Sequence, residues 1–106
     1  MIKISAVKLA NRKKFFRLLG KNLPGINLRS GVVVLKPGES VGKHITENKE
    51  EAIIILEGKA RFFYAGKKSF IALEQSFIYV PPDTLHDLKN TGKNTLKYVY
   101  ITSALR

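Results

Sequence analysis

Three side chains that could bind a metal ion lie on β-prone segments that are far apart in the sequence. His44 and Glu51 flank the stretch ITENKE, and His86 follows the proline turn VPPDT. Glu51 also heads an apolar run, where a carboxylate is costly to bury unless it is paired or bound to a cation. Two imidazoles and one carboxylate suit a divalent transition metal. The pattern predicts a metal site of His44, Glu51 and His86 if folding brings them together.

Simpler interpretations of the same residues remain open. His44 and His86 could be histidines that only pack at the mouth of a barrel, and Glu51 could be a surface residue beside Glu50. Thr46 should point the same way as His44, because residues two apart in an extended strand share a face. If the strand that begins at Glu51 pairs beside the strand of His44, the carboxylate comes back toward the imidazole.

The segments that would position these side chains have mostly the sequence features of β-strands. Turn-forming stretches separate seven short β-rich segments, which predict an all-β sandwich or barrel. The predicted strands cover residues 26–35, 52–56, 60–65, 69–73, 76–80, 85–90 and 95–102. The stretch AGKK predicts a tight hairpin with Gly66 at positive φ.

One segment near the N-terminus has the apolar spacing of a helix. The stretch NRKKFFRLLG predicts a short helix over residues 11–20, with Asn11 as its N-terminal cap and Gly20 at its end. It is the only helix expected, and we predict a single domain over residues 1–106.

Composition narrows the possible functions. The chain has no cysteine, which excludes disulfides, thiolate catalysis and cysteine-based metal sites. Its longest unbroken aliphatic run, Ala52 to Leu56, is too short to span a bilayer, and the N-terminal residues lack the apolar core of a secretory signal. A cytoplasmic protein without a membrane partner is therefore expected.

Charge is unevenly distributed along the chain. The net charge is +11, all eight acidic residues lie between Glu39 and Asp87, and the first 38 residues carry nine basic residues. A solvated basic face explains this pattern most simply. The alternative is a surface that attracts nucleic acid or anionic ligands, although the sequence contains no RNP pattern, zinc-finger spacing or clear helix-turn-helix.

The spacing of the anchor residues resembles the two sequence motifs of the cupins, which are small jelly-roll barrels. The first motif, Gly-x5-His-x-His-x3,4-Glu-x6-Gly, has its counterpart over residues 38–58. Its anchors here are Gly38, His44, Thr46, Glu51 and Gly58. The second motif, Gly-x5-Pro-x-Gly-x2-His-x3-Asn, has its counterpart over residues 75–90. Its anchors here are Gln75, Pro81, Asp83, His86 and Asn90.

The resemblance implies an all-β jelly-roll barrel in which His44, Glu51 and His86 match three of the four cupin metal ligands. Thr46 replaces the second His of His-x-His. It would therefore lie beside an open coordination position, or it would contact the ligand residues without binding the metal itself. Asp83 replaces the glycine of the turn before His86, and we expect Asp to tolerate that turn.

Two functions follow from the resemblance as expectations. One is a metal-dependent enzyme of oxygenase or isomerase type acting on a small organic molecule, with Fe, Mn, Ni or Zn held by the three ligands. The other is a non-catalytic small-ligand-binding cupin whose metal site is degenerate, which the Thr46 substitution favours. We also expect a homodimer by resemblance, and a nucleic-acid partner is the least favoured hypothesis.

Overall fold

The described residues form nine β-strands in two sheets. The structure is a computed structural model that describes residues 4–20 and 27–105. The strands are β1 (Phe15–Leu19), β2 (Leu28–Leu35), β3 (His44–Ile45), β4 (Lys49–Glu57), β5 (Ala60–Tyr64), β6 (Lys68–Ala72), β7 (Phe77–Val80), β8 (Leu85–Lys89) and β9 (Leu96–Ala104). Within this part of the chain, no helix is long and apolar enough to cross a membrane.

The two sheets pack face to face around one core. One has five strands in the order β1-β2-β9-β4-β7, and the other has four in the order β3-β8-β5-β6. The core draws Leu35 and Ile55 from the first sheet and Phe62 and Leu88 from the second, all nearly inaccessible to solvent. The predicted all-β fold is confirmed, and each of the seven predicted strands has its counterpart in β2 or in β4 to β9.

The helix predicted over residues 11–20 is wrong, because its second half is the edge strand β1. This strand pairs antiparallel with β2. Phe16 and Leu18 pack on the outer face of the sheet, as period-2 alternation requires. The Asn11 side chain accepts a hydrogen bond from the Lys13 amide, two residues on, and so closes a turn. The short FFRLL run fits both helical and strand periods, and the free edge of β2 decides between them.

Alternation along β9 is as the sequence indicates. Leu96 and Tyr98 face the core between the sheets, whereas Val99 lies in a second apolar cluster on the outer face of the five-stranded sheet. The neighbouring strand β4 is apolar on both sides, with Ile55 inside and Leu56 outside. Both faces of this sheet are therefore covered by apolar side chains near its centre.

The turns expected at Gly66 and Asp83 are both present. Gly66 has φ of 79°, and Asp83 has φ of 56°. Gln75, at the other position where the cupin motif has glycine, also has positive φ, 65°. The backbone thus keeps the left-handed conformation of the motif although two of its glycines are absent.

Asn90 is fully buried and satisfies backbone groups at a turn, as expected for the last anchor. Its amide nitrogen donates to the carbonyls of Leu35 and Asn94. Its side-chain oxygen accepts from the Gly92 amide.

Candidate metal centre

The three candidate ligands come together between the two sheets. His44 on β3 stands directly opposite His86 on β8, while Glu51 reaches the same place from β4 in the other sheet. Their ligand atoms all lie within 4.8 Å of one another. The sequence suggested that Glu51 could approach His44 if their two strands paired with each other. The structure differs, because β3 does not pair with β4. The cluster instead bridges the two sheets.

Both ring nitrogens of His86 face oxygen acceptors. Nδ1 lies 3.0 Å from the carbonyl oxygen of Thr84, and Nε2 lies 3.1 Å from Oε1 of Glu51. The carbonyl can only accept, so Nδ1 carries a proton. A neutral ring would then set the Nε2 lone pair against an ionised carboxylate. The contact therefore needs a proton between Nε2 and the carboxylate oxygen, or a metal cation that binds both atoms.

The pKa of His86 reflects this competition. Burial within the barrel lowers the pKa, because it disfavours the imidazolium. The hydrogen bonds to Glu51 and Thr84 and the negative charges of Glu51 and Asp87 act in the opposite direction, and the net result is a raised pKa. Without metal, the contacts of His86 with Glu51 and Thr84 therefore favour the protonated imidazole.

His44 lies at the solvent-exposed side of the cluster. Its Nδ1 lies 2.9 Å from the carbonyl oxygen of Gly42, which makes Nδ1 the donor and leaves the Nε2 lone pair available. The ring centroids of His44 and His86 are 4.1 Å apart. In both histidines, then, Nδ1 is tied to a backbone carbonyl, which leaves Nε2 as the nitrogen available to a ligand.

Asp87 holds the segment before His44 in place, a role that the sequence did not reveal. Its Oδ1 accepts hydrogen bonds from the amides of Gly42 at 3.0 Å and Leu88 at 2.7 Å. Gly42, held in this way, provides the carbonyl that orients His44. Adjacency to His86 was the only available signal, and an acid beside a histidine on an alternating strand is too common to indicate this function.

Thr46 is buried and fastens the turn that precedes His86. Its hydroxyl donates to the carbonyl of Pro81 at 2.7 Å and accepts from the amide of Thr84 at 3.1 Å. Thr84 also orients the His86 ring through its carbonyl. Thr46 thus contacts the backbone that positions a candidate ligand, and it lines the cavity beside the cluster.

The cluster has the donor set and supporting contacts of a transition-metal site. Ligand atoms bonded to one ion at about 2.1 Å lie at most roughly 4.2 Å apart, so the span of the cluster is close to what one ion requires. Histidines that bind metal usually donate their other ring N–H to a carbonyl or carboxylate, as His44 and His86 do. The residues present therefore fit a divalent ion, and the cluster could bind one.

A cavity of about 650 Å³ opens beside the cluster and reaches the barrel mouth. Tyr98, Tyr100 and Thr102 on β9 line it. Burial raises the pKa of Tyr98 and of Tyr100, so both phenols stay protonated at neutral pH and can donate hydrogen bonds. Gly31 leaves room for Tyr100, because a Cβ there would lie 2.7 Å from the tyrosine side chain.

Comparison with other proteins agrees with this geometry. Residues 31–102 match the Cupin domain family. The chain is 32% identical over 79 residues to the mannose-1-phosphate guanylyltransferase RfbM of Salmonella typhimurium, a match that covers 74% of this chain but only 16% of that enzyme.

Two solved structures show the same architecture. A predicted oxalate decarboxylase from Thermotoga maritima is 27% identical, with a TM-score of 0.69 over 73% of this chain and 66% of that one. An RmlC-like cupin with a double-stranded β-helix fold from Methanocaldococcus jannaschii is 19% identical, with a TM-score of 0.79 over 98% of this chain and 92% of that one. Together with the motif anchors and the paired sheets, these matches show that the chain belongs to the cupin family.

Proposed function

We propose that this protein binds a divalent transition metal through His44, Glu51 and His86 and uses it to bind and activate a small organic molecule. The observation that carries the proposal is the contact of His86 Nε2 with Glu51 Oε1, a buried nitrogen–oxygen pair that needs a proton or a metal cation between its two atoms. Fe, Mn, Ni or Zn would satisfy that demand. Bound there, the ion would supply Lewis-acid or oxygen-binding chemistry of the oxygenase or isomerase type.

The protein's own residues would prepare the site and receive the ligand. Thr84 and Gly42 fix the two imidazole rings, and Thr46 and Asp87 fix the backbone segments that carry them. Protonated Tyr100 would donate a hydrogen bond to an oxygen of the bound molecule. Thr46 would lie behind the ligands rather than act as one, because its hydroxyl proton already bonds to Pro81.

A non-catalytic small-ligand-binding cupin is the second candidate, and one observation favours it. Only three metal-ligand side chains converge among the described residues, and no carboxylate other than Glu51 lines the cavity there. An enzyme that moves protons would have to use the tyrosines or the bound ion. A protein that only holds its ligand needs no such group.

Metal content tests the proposal directly. The protein would be purified without metal, incubated separately with Fe²⁺, Mn²⁺, Ni²⁺ and Zn²⁺, desalted and measured by elemental analysis. Wild type should retain one ion per chain. Glu51→Gln and His86→Ala should lose it, because each removes a ligand of the cluster.

Glu50→Gln is the matched control for Glu51→Gln. Glu50 is the next residue along β4, but its carboxylate accepts a hydrogen bond from Tyr79 at 2.8 Å and does not join the cluster. This variant should keep the metal of wild type. Equal metal loss in both glutamate variants, or no metal in wild type after every reconstitution, would refute the site.

We also propose a homodimer and a cytoplasmic location. Strand β1 forms one edge of the five-stranded sheet, and such an edge can pair with another chain. Sedimentation equilibrium should give twice the mass of the chain, and a monomer at high micromolar concentration would contradict the dimer.

A further inference from the structure

The charged residues that line the cavity beside the metal cluster are mostly cations. Four basic residues line it among the described residues: Arg17, Arg29, Lys43 and Lys49. Glu51 is the one acidic residue in the same lining, and it is already bonded to His86. Four cations less one carboxylate give a formal charge of +3, before the histidines or any metal are counted.

The two arginines project from the inward faces of their strands. On β2, Arg29 lies on the same face as Val33 and Leu35, which belong to the core. On β1, Arg17 lies opposite to Phe16 and Leu18, which pack on the outer face of the sheet. Both side chains are exposed to solvent at the mouth of the barrel, so they bring positive charge to the cavity without being buried.

Strand register places these arginines in the same rows as the site. Arg29 is opposite Thr102, and Thr102 is opposite Glu51 on its other side. Arg17 is opposite Gly31, which is in turn opposite Tyr100. Arg29 and Glu51 are thus two strands apart in one row, with backbones about 10 Å apart. Both side chains line the same cavity.

We propose that the natural ligand is a small organic dicarboxylate, with one carboxylate at the metal cluster and the other at Arg17 and Arg29. The proposal deepens the proposed function and rests on it for the metal end of the ligand. Arginine binds carboxylates through two parallel hydrogen bonds. Arg17, Lys43 and Lys49 make no ion pair with the described residues, so an anion in the cavity would not have to displace a protein carboxylate from them.

The test measures binding of malonate, succinate and glutarate to the Zn²⁺-loaded protein by titration calorimetry, with succinamide as the neutral probe. At least one diacid should bind, and at least tenfold more tightly than succinamide. Arg17→Gln and Arg29→Gln should each weaken its binding about tenfold or more, because each removes a charged hydrogen-bond donor. Lys67→Gln, in the exposed β5–β6 hairpin, removes the same charge and should bind as wild type.

Metal content and thermal melting accompany each titration. Zinc stoichiometry should stay at the wild-type value in both arginine variants, since neither residue is a candidate ligand. If Arg17→Gln does not fold, Arg17→Lys keeps the charge but loses the planar fork, and it should still bind the diacid more weakly than wild type. Wild-type affinity in the folded arginine variants, or no diacid binding to the zinc-loaded protein, would overturn the inference.

The same experiment separates this inference from the proposed function. If the protein takes up no metal but the metal-free form binds a diacid in a way that depends on Arg17 and Arg29, the arginine end of the inference stands and the metal site fails. If zinc binds stoichiometrically and no diacid binds, the metal site stands and the inference fails.

Discussion

The two ends of the barrel are built from the same strands but have opposite interiors. Inward residues run from apolar to polar along each central strand of the five-stranded sheet: Leu35, Val33, Gly31 and Arg29 on β2; Leu96, Tyr98, Tyr100 and Thr102 on β9; Ile55, Ile53, Glu51 and Lys49 on β4. The closed end, marked by Leu35, Ile55 and Leu96, is fully buried. The open end, marked by Arg29, Glu51 and Thr102, lines the cavity.

The contrast shows how one set of strands provides both the stability of the fold and a candidate binding site. Apolar burial at the closed end contributes most of the free energy that holds the sheets together. Polar side chains at the open end contribute little of it and are free to bind a ligand. Changes at one end should therefore be separable from changes at the other.

The largest effect is expected from Ile55→Ala at the closed end. Ile55 is 0% exposed, and removing such a side chain leaves a cavity that costs about 2–5 kcal/mol of unfolding free energy. Urea denaturation followed by fluorescence or circular dichroism measures the loss. The remaining folded protein should bind one metal ion with wild-type affinity, and a fall in its metal content would show that the two ends are coupled.

A smaller effect is expected from Asp87→Ala at the open end. The change removes the acceptor that holds Gly42 and so loosens the carbonyl that orients His44. Loss of a hydrogen bond that helps to orient a metal ligand typically lowers metal affinity about 10- to 100-fold. Competition with a chelator measures the metal affinity of each variant. Asp87→Asn keeps an oxygen acceptor and should retain most of the affinity. Equal loss in both variants would point to charge instead of position.

Replacement by glycine should relieve different amounts of backbone strain in the turns at the two ends of β7. Gln75 precedes β7 near the closed end, and Asp83 follows it near the open end, both with positive φ. Gln75→Gly should raise the unfolding free energy by about 0.5–1 kcal/mol, because a long side chain is strained in this conformation. Asp83→Gly should gain less, since Asp tolerates the left-handed region better. Denaturant midpoints compare the two, and a larger gain at Asp83 would contradict this account.

The smallest effect is a pH dependence at the open end in the metal-free protein. The folded pKa of His86 is raised above its ordinary value of about 6.5. The stabilisation is therefore complete below the unfolded pKa and is lost as pH rises through the folded pKa. Its size is limited because burial opposes the hydrogen bonds and charges that favour the imidazolium. The stability advantage of wild type over His86→Asn should shrink as the pH rises above about 6.5, and an advantage that grows with pH would contradict the favoured protonation of His86.

Errors in the sequence-based reading arise where local pattern is ambiguous. Residues 11–20 have the spacing of a helix, yet Phe15–Leu19 form a strand. Pairing with β2 satisfies the backbone groups of this strand, and the local sequence pattern does not reveal that distant partner. The function of Asp87 was missed for a related reason. Its partner Gly42 is 45 residues away, and nothing in the neighbouring sequence identifies that contact.

The sequence by itself determined seven of the nine strands among the described residues, the turns at Gly66 and Asp83, and the three candidate ligands, because alternation, turn chemistry and motif spacing depend on neighbouring residues. Only the tertiary structure decided that Glu51 meets His86 from the opposite sheet, that Thr46 bonds to the turn before His86, and that Arg17 and Arg29 share a cavity with them. These relations depend on strand order and register, which are fixed when the two sheets bury their apolar faces against each other and not by any single segment.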